Sequence, residues 1–266
     1  MLFFIALSIL FLPEENKKIL EPLFSSLYAT IVNIVHAIIS ALPFISVAFF
    51  IILISQLNTN LNFHGLGHYL LALLFANFFQ AFVVLPVFLL KNHLSPFKIL
   101  KAMMPALVTA FLSKSSAAAM PTSIQCAEKN LGVSKNISRI SFPLCTTINM
   151  NACAAFILIT VLFVSQVENV TFTPLELSGW VLISTIAAIG NAGIPMGCYF
   201  LTLSLLSSMN VSVALLGTIL PFYTILDMLE SAINLWSDTC VTLIVDKKLK
   251  INDLQVAVMP DIQPIL

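Results

Sequence analysis

The sequence predicts an all-α polytopic membrane protein, and three observations carry that prediction. Hydrophobic residues make up 59% of the 266-residue chain and charged residues 9%, with a mean hydropathy of +1.02. A soluble domain has roughly 45–50% apolar and about 25% charged residues. Residues 22–90, 140–167 and 177–226 contain no Asp, Glu, Lys or Arg, and about 20 apolar residues are enough to cross a bilayer as a helix. The charges that remain are also sided. If spans and hairpins alternate, Lys17, Lys18, Lys91, Lys98, Lys101, Lys129, Lys135, Arg139, Lys247, Lys248 and Lys250 share one face, and the other holds only Glu168 and Glu176. Lys/Arg excess marks the cytoplasmic side, which places the C-terminus there.

Residues 2–12 have the length of a signal-peptide core but lack a basic n-region and a small-residue cleavage site; they are predicted to be the tail end of a spanning helix. Pro13 and the charged cluster Glu14 to Glu21 follow as a loop. Residues 24–55 predict a long helix interrupted near Pro43, 56–65 a polar turn, and 66–90 the next span. Residues 102–113 and 115–127 are two short apolar stretches on either side of Lys114. Neither is long enough to span, so together they predict a re-entrant hairpin with its tip at the lysine.

The helix at 138–165 carries Asn149-Met150-Asn151 at its centre. The short-segment pattern then recurs as 177–189 and 198–209, flanking Gly190-Asn191-Ala192-Gly193-Ile194-Pro195-Met196-Gly197, where three glycines and a proline break any helix. Residues 213–246 form the last long apolar helix. The two halves, 97–165 and 174–246, each contain a broken hairpin followed by a helix with a polar centre. Paired interrupted segments of this kind point to a secondary transporter's binding site.

Within the last helix, Asp227, Glu230, Ser231, Asn234 and Asp238 fall on one arc of about 100° at 3.6 residues per turn. Three carboxylates on one stripe cost about 2.5–3.5 kcal/mol each at bilayer depth unless cations or substrate meet them. The alternatives are a buried structural network or a stretch outside the membrane. Lys114 beside Ser115 and Ser116 suggests a Ser-Lys hydrolase, but adjacent helical residues point in different directions and no nucleophile-elbow motif accompanies them. A better fit is a hairpin tip that offers backbone N–H groups and hydroxyls to a carboxylate, with Lys114 supplying charge or pairing with Glu230. The five cysteines, without a CxxC pair or metal-ligand spacing, are expected to be small core residues rather than a disulfide or metal site. Balanced charge excludes a nucleic-acid surface.

Four ordered motifs carry a resemblance. Ser113-Lys114-Ser115-Ser116 with Pro121, Pro143 through Asn149-Met150-Asn151, Ile189 through Pro195, and Ile225-Leu226-Asp227-Met228 with Asn234 and Asp238 resemble the dicarboxylate/amino acid:cation symporters, the glutamate transporter family. The resemblance implies an inverted-repeat elevator transporter working as a homotrimer, coupled to Na⁺ or H⁺, with no organic cofactor and no enzymatic activity. Residues 1–56 would be partial scaffold helices, 57–250 the transport domain and 251–266 a cytoplasmic tail, in a bacterial inner membrane.

The resemblance also implies roles. Ser115, Ser116 and the second tip at Gly193 and Ile194 would hold a substrate α-carboxylate together with Asn234, while Asp227 and Ser231 would meet its amino group. Asp238 with carbonyls of Cys145, Asn149 and Asn234 would hold one Na⁺; Thr147 with carbonyls of Ala188, Ile189 and Asn191 would hold another. The hairpin at 177–209 would be the extracellular gate.

The departures are equally specific. Glu230 stands where acidic-substrate members carry an arginine, and Tyr223 where an aspartate steadies that arginine. A carboxylate repels a carboxylate, so the expected substrate is a neutral or cationic amino acid, with serine, threonine or alanine favoured where Lys114 neutralises Glu230. Asn151 replaces a cation-binding aspartate and Cys153 a nearby threonine, so fewer coupled Na⁺ or altered coupling is expected. The family's first three helices have no counterpart. The competing expectation is therefore a truncated or split-gene membrane fragment that needs a partner chain; a channel-like conductance is a third.

Overall fold

In a computed structural model, residues 63–191 and 195–258 are described, with side chains over 65–191 and 195–250, together with scattered positions between 9 and 40. Most of the expected 24–55 helix, most of the 56–65 turn, and Gly193 and Ile194 lie outside the described residues. Contacts divide the chain into Met1–Ser55 and Gln56–Leu266. In the first unit, residues 15–20 and 22–27 are helical. The second unit carries both hairpins and the polar helix.

Helix α1, Phe63–Phe79, passes through a single π-helical turn, Gln80–Val84, into α2, Leu85–Lys91. The wide turn leaves the Ala81 carbonyl free of its usual partner, and the Trp236 indole N–H donates to it at 3.2 Å. Outward, this rod presents Leu71, Phe75, Phe82 and Phe88, the apolar surface that hydrocarbon requires.

Helices α3, Pro96–Ser113, and α4, Ser116–Leu131, form the first hairpin. Proline at the first helical position starts α3. Lys114 turns the chain in the left-handed region at φ 55°, and the extended Ser115 restarts it, its Oγ accepting the Ala118 N–H at 3.1 Å. At the far end Gly132, at φ 69°, closes α4, and the Val133 N–H reaches the Ala127 carbonyl at 3.1 Å. Ala106, Ala110, Ala119 and Ala127 are buried, small side chains of the kind that let helix backbones approach closely. The first arm is longer than its apolar run suggests, because Lys98 and Lys101 lie within its first two turns. At 18 residues it is long enough to cross a membrane by itself, which corrects the expectation that neither arm could.

The expected 138–165 helix is two helices, α5, Lys135–Ile148, and α6, Asn151–Val167. Asn149 and Met150 leave helical geometry between them, at ψ 52° and 58°. The break exposes the last carbonyls of α5 and the first N–H groups of α6 in mid-span. Helices α7, Pro174–Ile189, and α8, Gly197–Ser208, form the second hairpin; Thr173 and Glu176 close a capping box at the start of α7. Helix α9, Ala214–Val258, runs past the expected end at 246 and packs on α2, α3, α4, α5 and α6. Met103, Phe142, Ile233, Leu235 and Trp236 lie in the core it shares with them.

At the basic end of α9, Lys247 Nζ donates to the carbonyls of Asn92 and His93 at 2.8 and 3.1 Å, and Lys250 Nζ to that of Gly132 at 2.9 Å. Asp246 accepts the Ser134 N–H and hydroxyl at 3.0 and 2.8 Å and pairs with Lys250 at 2.7 Å. The 91–101 turn, the 128–139 turn and the end of α9 therefore meet at one end of the bundle.

Candidate binding site between the hairpins and helix 9

The polar stripe of α9 faces inward. Asp227, Glu230, Ser231, Asn234 and Asp238 are each 7% exposed or less. Asp227 is a focus. Its Oδ2 accepts the Met196 N–H at 3.1 Å, at the left-handed residue that opens α8, and its Oδ1 accepts the Tyr223 hydroxyl at 3.3 Å. Lys114, at the tip of the first hairpin, acts electrostatically on the same carboxylate. The turn into α8 thus meets Asp227 directly, and the charge at the first tip acts on it from a distance.

One turn along, Glu230 is 1% exposed, and neither of its carboxylate oxygens has a hydrogen-bond partner. Among the described residues no ion pair joins it to Lys114, whose charge acts on Asp227. Cys153, Cys198 and Glu230 place their ligand atoms within 4.8 Å of one another. Cys153 and Cys198 are bonded, with Cα atoms 5.7 Å apart. The expectation that every cysteine is an isolated core residue fails here, because α6 and α8 pack face to face. Cys126, Cys145 and Cys240 do remain buried and unbonded.

Further along the stripe the broken helix meets α9. Asn149 Nδ2 donates to Asp238 Oδ1 and to the Ser237 hydroxyl, both at 2.9 Å, and Asn151 Nδ2 donates to the same hydroxyl at 2.6 Å. Asn234 Oδ1 accepts the Ala152 N–H, one of the orphaned donors at the start of α6, at 2.9 Å. The Asn149 N–H caps α5 on the Cys145 carbonyl at 2.8 Å. Cys145, Asn149, Asn234 and Asp238 are therefore gathered around the break, where the carbonyl end of α5 presents negative potential. Asp238 Oδ2 is buried and makes no hydrogen bond, and the Thr146 side chain also acts on this carboxylate.

The second expected ion set is not assembled by hydrogen bonds among the described residues. Thr147 is exposed, and its hydroxyl turns back on its own helix to the carbonyls of Leu144 at 2.7 Å and Pro143 at 3.3 Å. The Ala188 carbonyl accepts the Asn191 N–H within the turn ending α7. Helices α5 and α7 do touch, so the elements are neighbours although the oxygens are not aimed at one another. Asn191 faces the cysteines, donating to Cys198 Sγ at 3.2 Å and Cys153 Sγ at 3.3 Å, with its Oδ1 unpartnered. Ser115 and Ser116 are buried at the first tip.

Ser237 is a site residue that the sequence reading does not single out, although it lies three residues after Asn234 and so on nearly the same face. Met196 contributes only a backbone N–H, which no side-chain pattern announces.

A family model described as the sodium:dicarboxylate symporter family matches residues 1–248. The chain belongs to the sodium:dicarboxylate symporter family. It is similar to excitatory amino acid transporter 4 of Mus musculus, at 29% identity over 229 residues, covering 85% of this chain and 41% of that protein. It is equally similar to neutral amino acid transporter A of Bos taurus, at 29% over 175 residues, 65% of this chain and 33% of that protein, and to neutral amino acid transporter B(0) of Homo sapiens, at 29% over 182 residues, 68% and 34%. The chain spans less than half the length of these curated relatives. As a symporter-family member with four helices, among the described residues, long and apolar enough to cross a membrane, it is a multi-pass membrane protein. Relatives named for excitatory and for neutral amino acids match equally well, so the substrate class has to be read from the pocket.

The turn between α7 and α8 supplies one test of how tightly this family member is built. A Cβ added at Gly197 would fall on the Asn191 side chain, whose amide is held on the Cys153 and Cys198 sulfurs. Gly197→Ala is expected to cost about 1–3 kcal/mol of stability, the usual penalty for overpacking, and to lower the thermal midpoint in detergent by several degrees. Gly179→Ala, inside α7 where a Cβ meets nothing within 4 Å, should hold or raise the midpoint, because alanine is the better helix former.

Proposed function

We propose that this symporter-family chain forms the substrate- and cation-binding part of an Na⁺-coupled amino acid transporter that favours neutral over acidic amino acids. The buried Asp227 carboxylate, which accepts the Met196 N–H of the second hairpin's turn, carries the reading. A buried carboxylate between two helix-breaking tips recognises an ammonium group, while the N–H groups and hydroxyls near Ser115 and Ser116 suit a carboxylate. An α-amino acid offers both. Gly193, Ile194, Ser231 and Asn234 complete that pocket in the proposal.

Glu230 sets the side-chain preference. Its buried carboxyl group lies one helical turn from Asp227 and offers an acidic side chain no positive partner, which an uncharged one does not need. Asp238 with Cys145, Asn149 and Asn234 binds Na⁺, and Asn151 lowers the charge available to a further ion. Thr147, Ala188, Ile189 and Asn191 form a second Na⁺ site once the second hairpin moves. The two hairpins are re-entrant, residues 57–250 move as an elevator against a trimeric scaffold, and the basic end of α9 faces the cytoplasm across a bacterial inner membrane.

The test is competition of unlabelled amino acids against Na⁺-dependent uptake in proteoliposomes, with the chain alone and with a chain supplying the helices that its relatives have in addition. Serine, threonine and alanine are expected to compete and aspartate to fail. Tight aspartate transport overturns the substrate assignment; uptake only with the second chain identifies this one as a subunit.

A further inference from the structure

We infer that the reduced Cys153–Cys198 pair, with Glu230, is a binding site for a thiophilic divalent cation such as Zn²⁺. Three helices supply it: Cys153 from α6, Cys198 from the start of α8 and Glu230 from α9, with ligand atoms all within 4.8 Å of one another. The three residues are 3%, 0% and 1% exposed. A neutral disulfide accounts for the sulfurs but leaves the Glu230 carboxylate buried with both oxygens unpartnered. Side-chain amides also point their N–H groups at the sulfurs: Asn191 Nδ2 lies 3.2 Å from Cys198 Sγ and 3.3 Å from Cys153 Sγ, and Asn234 Nδ2 lies 3.3 Å from Cys153 Sγ. N–H donors of this kind favour thiolates. Two thiolates and a carboxylate in a water-poor interior require a cation, and soft sulfur selects zinc or cadmium over Na⁺. The fourth tetrahedral position falls to water.

Occupancy ties the second hairpin to α6 and α9 through a single ion and takes the Glu230 carboxylate away from any side chain in the pocket. The site stands without the transport proposal, because binding is read directly. Reduction by a water-soluble phosphine consumes one water, leaves two thiols and converts the phosphine to its oxide; metal binding then releases both thiol protons.

The experiment uses the purified full chain in detergent, reduced, freed of phosphine and titrated with Cd²⁺ under argon. To isolate the pair, Cys126, Cys145 and Cys240 are replaced by alanine. One Cd²⁺ per chain is expected, with a cadmium–thiolate charge-transfer band and two protons released. Glu230→Gln should weaken binding about 10-fold or more while keeping the band, since even an outer-shell partner's loss weakens a metal site on that scale. Cys198→Ser should lose the band. If Cys198→Ser does not fold, phosphine omission serves instead: the oxidised pair should bind no Cd²⁺. No band in the reduced chain, or unchanged affinity in Glu230→Gln, overturns the site. So does a band that survives without Cys153 and Cys198, which marks an adventitious ion.

Discussion

Replacing Glu230 with arginine is expected to turn aspartate from a non-competitor into a competitor in the Na⁺-dependent uptake assay. The side chain at 230 is buried one helical turn from Asp227, so a charge placed there acts on a pocket with little water to screen it. Glu230→Arg removes a repulsion and introduces a guanidinium that can hold a second carboxylate in two parallel hydrogen bonds. Charge-assisted bonds contribute about 1.5–3 kcal/mol each, so a gain of at least 10-fold in aspartate affinity is the expected scale. Asp227 competes for the new arginine from one turn away. The double variant Tyr223→Asp, Glu230→Arg addresses this, because Tyr223 now donates to Asp227 and an aspartate there gives the arginine another partner. Aspartate exclusion persisting in both variants, with neutral uptake intact, would place the side-chain subsite elsewhere.

Asp238→Asn is expected to raise the half-saturating Na⁺ concentration by about 10- to 100-fold, or ~1.4–2.8 kcal/mol. Asp238 keeps one oxygen on Asn149 and holds the other buried and unpartnered at the carbonyl end of α5. Asparagine preserves the shape and the bond to Asn149 but removes the formal charge that a hard cation selects. Asp246→Asn is the informative control. Asp246 belongs to the same helix, but its partners are Ser134 and Lys250 at the polar end. Its loss should lower stability and leave Na⁺ dependence alone; equal shifts in both variants would mean that Asp238 acts through the fold.

Much of this architecture is legible in the sequence because membrane solvent makes polar residues conspicuous. A Ser-Lys-Ser-Ser tip and a Gly/Pro-rich tip break apolar runs that otherwise have every reason to continue, and five polar residues at helical spacing reveal a face without any coordinates. The π-helical turn at Gln80–Val84 has no such marker: neither Gly nor Pro lies within it, and it becomes intelligible only with Trp236 on its free carbonyl. The Cys153–Cys198 contact joins residues 45 apart and follows from the packing of α6 on α8, which periodicity does not encode. Lys114 is visible as a tip residue, but the carboxylate its charge acts on is not, since spacing along α9 does not say how a loop from another helix is placed. The Asn149–Asn151 interruption is legible as strain in a span; the way its freed N–H is absorbed by Asn234 is not.

The most direct test of the central claim is equilibrium binding of radiolabelled serine to the purified full chain, in NaCl and in choline chloride, with Asp227→Asn in parallel. The account predicts saturable binding in NaCl, little in choline, and none above background for Asp227→Asn even though that variant remains folded. Serine binding that is indifferent to Na⁺, or undiminished when Asp227 loses its charge, would contradict a pocket built where the two hairpin tips meet helix α9.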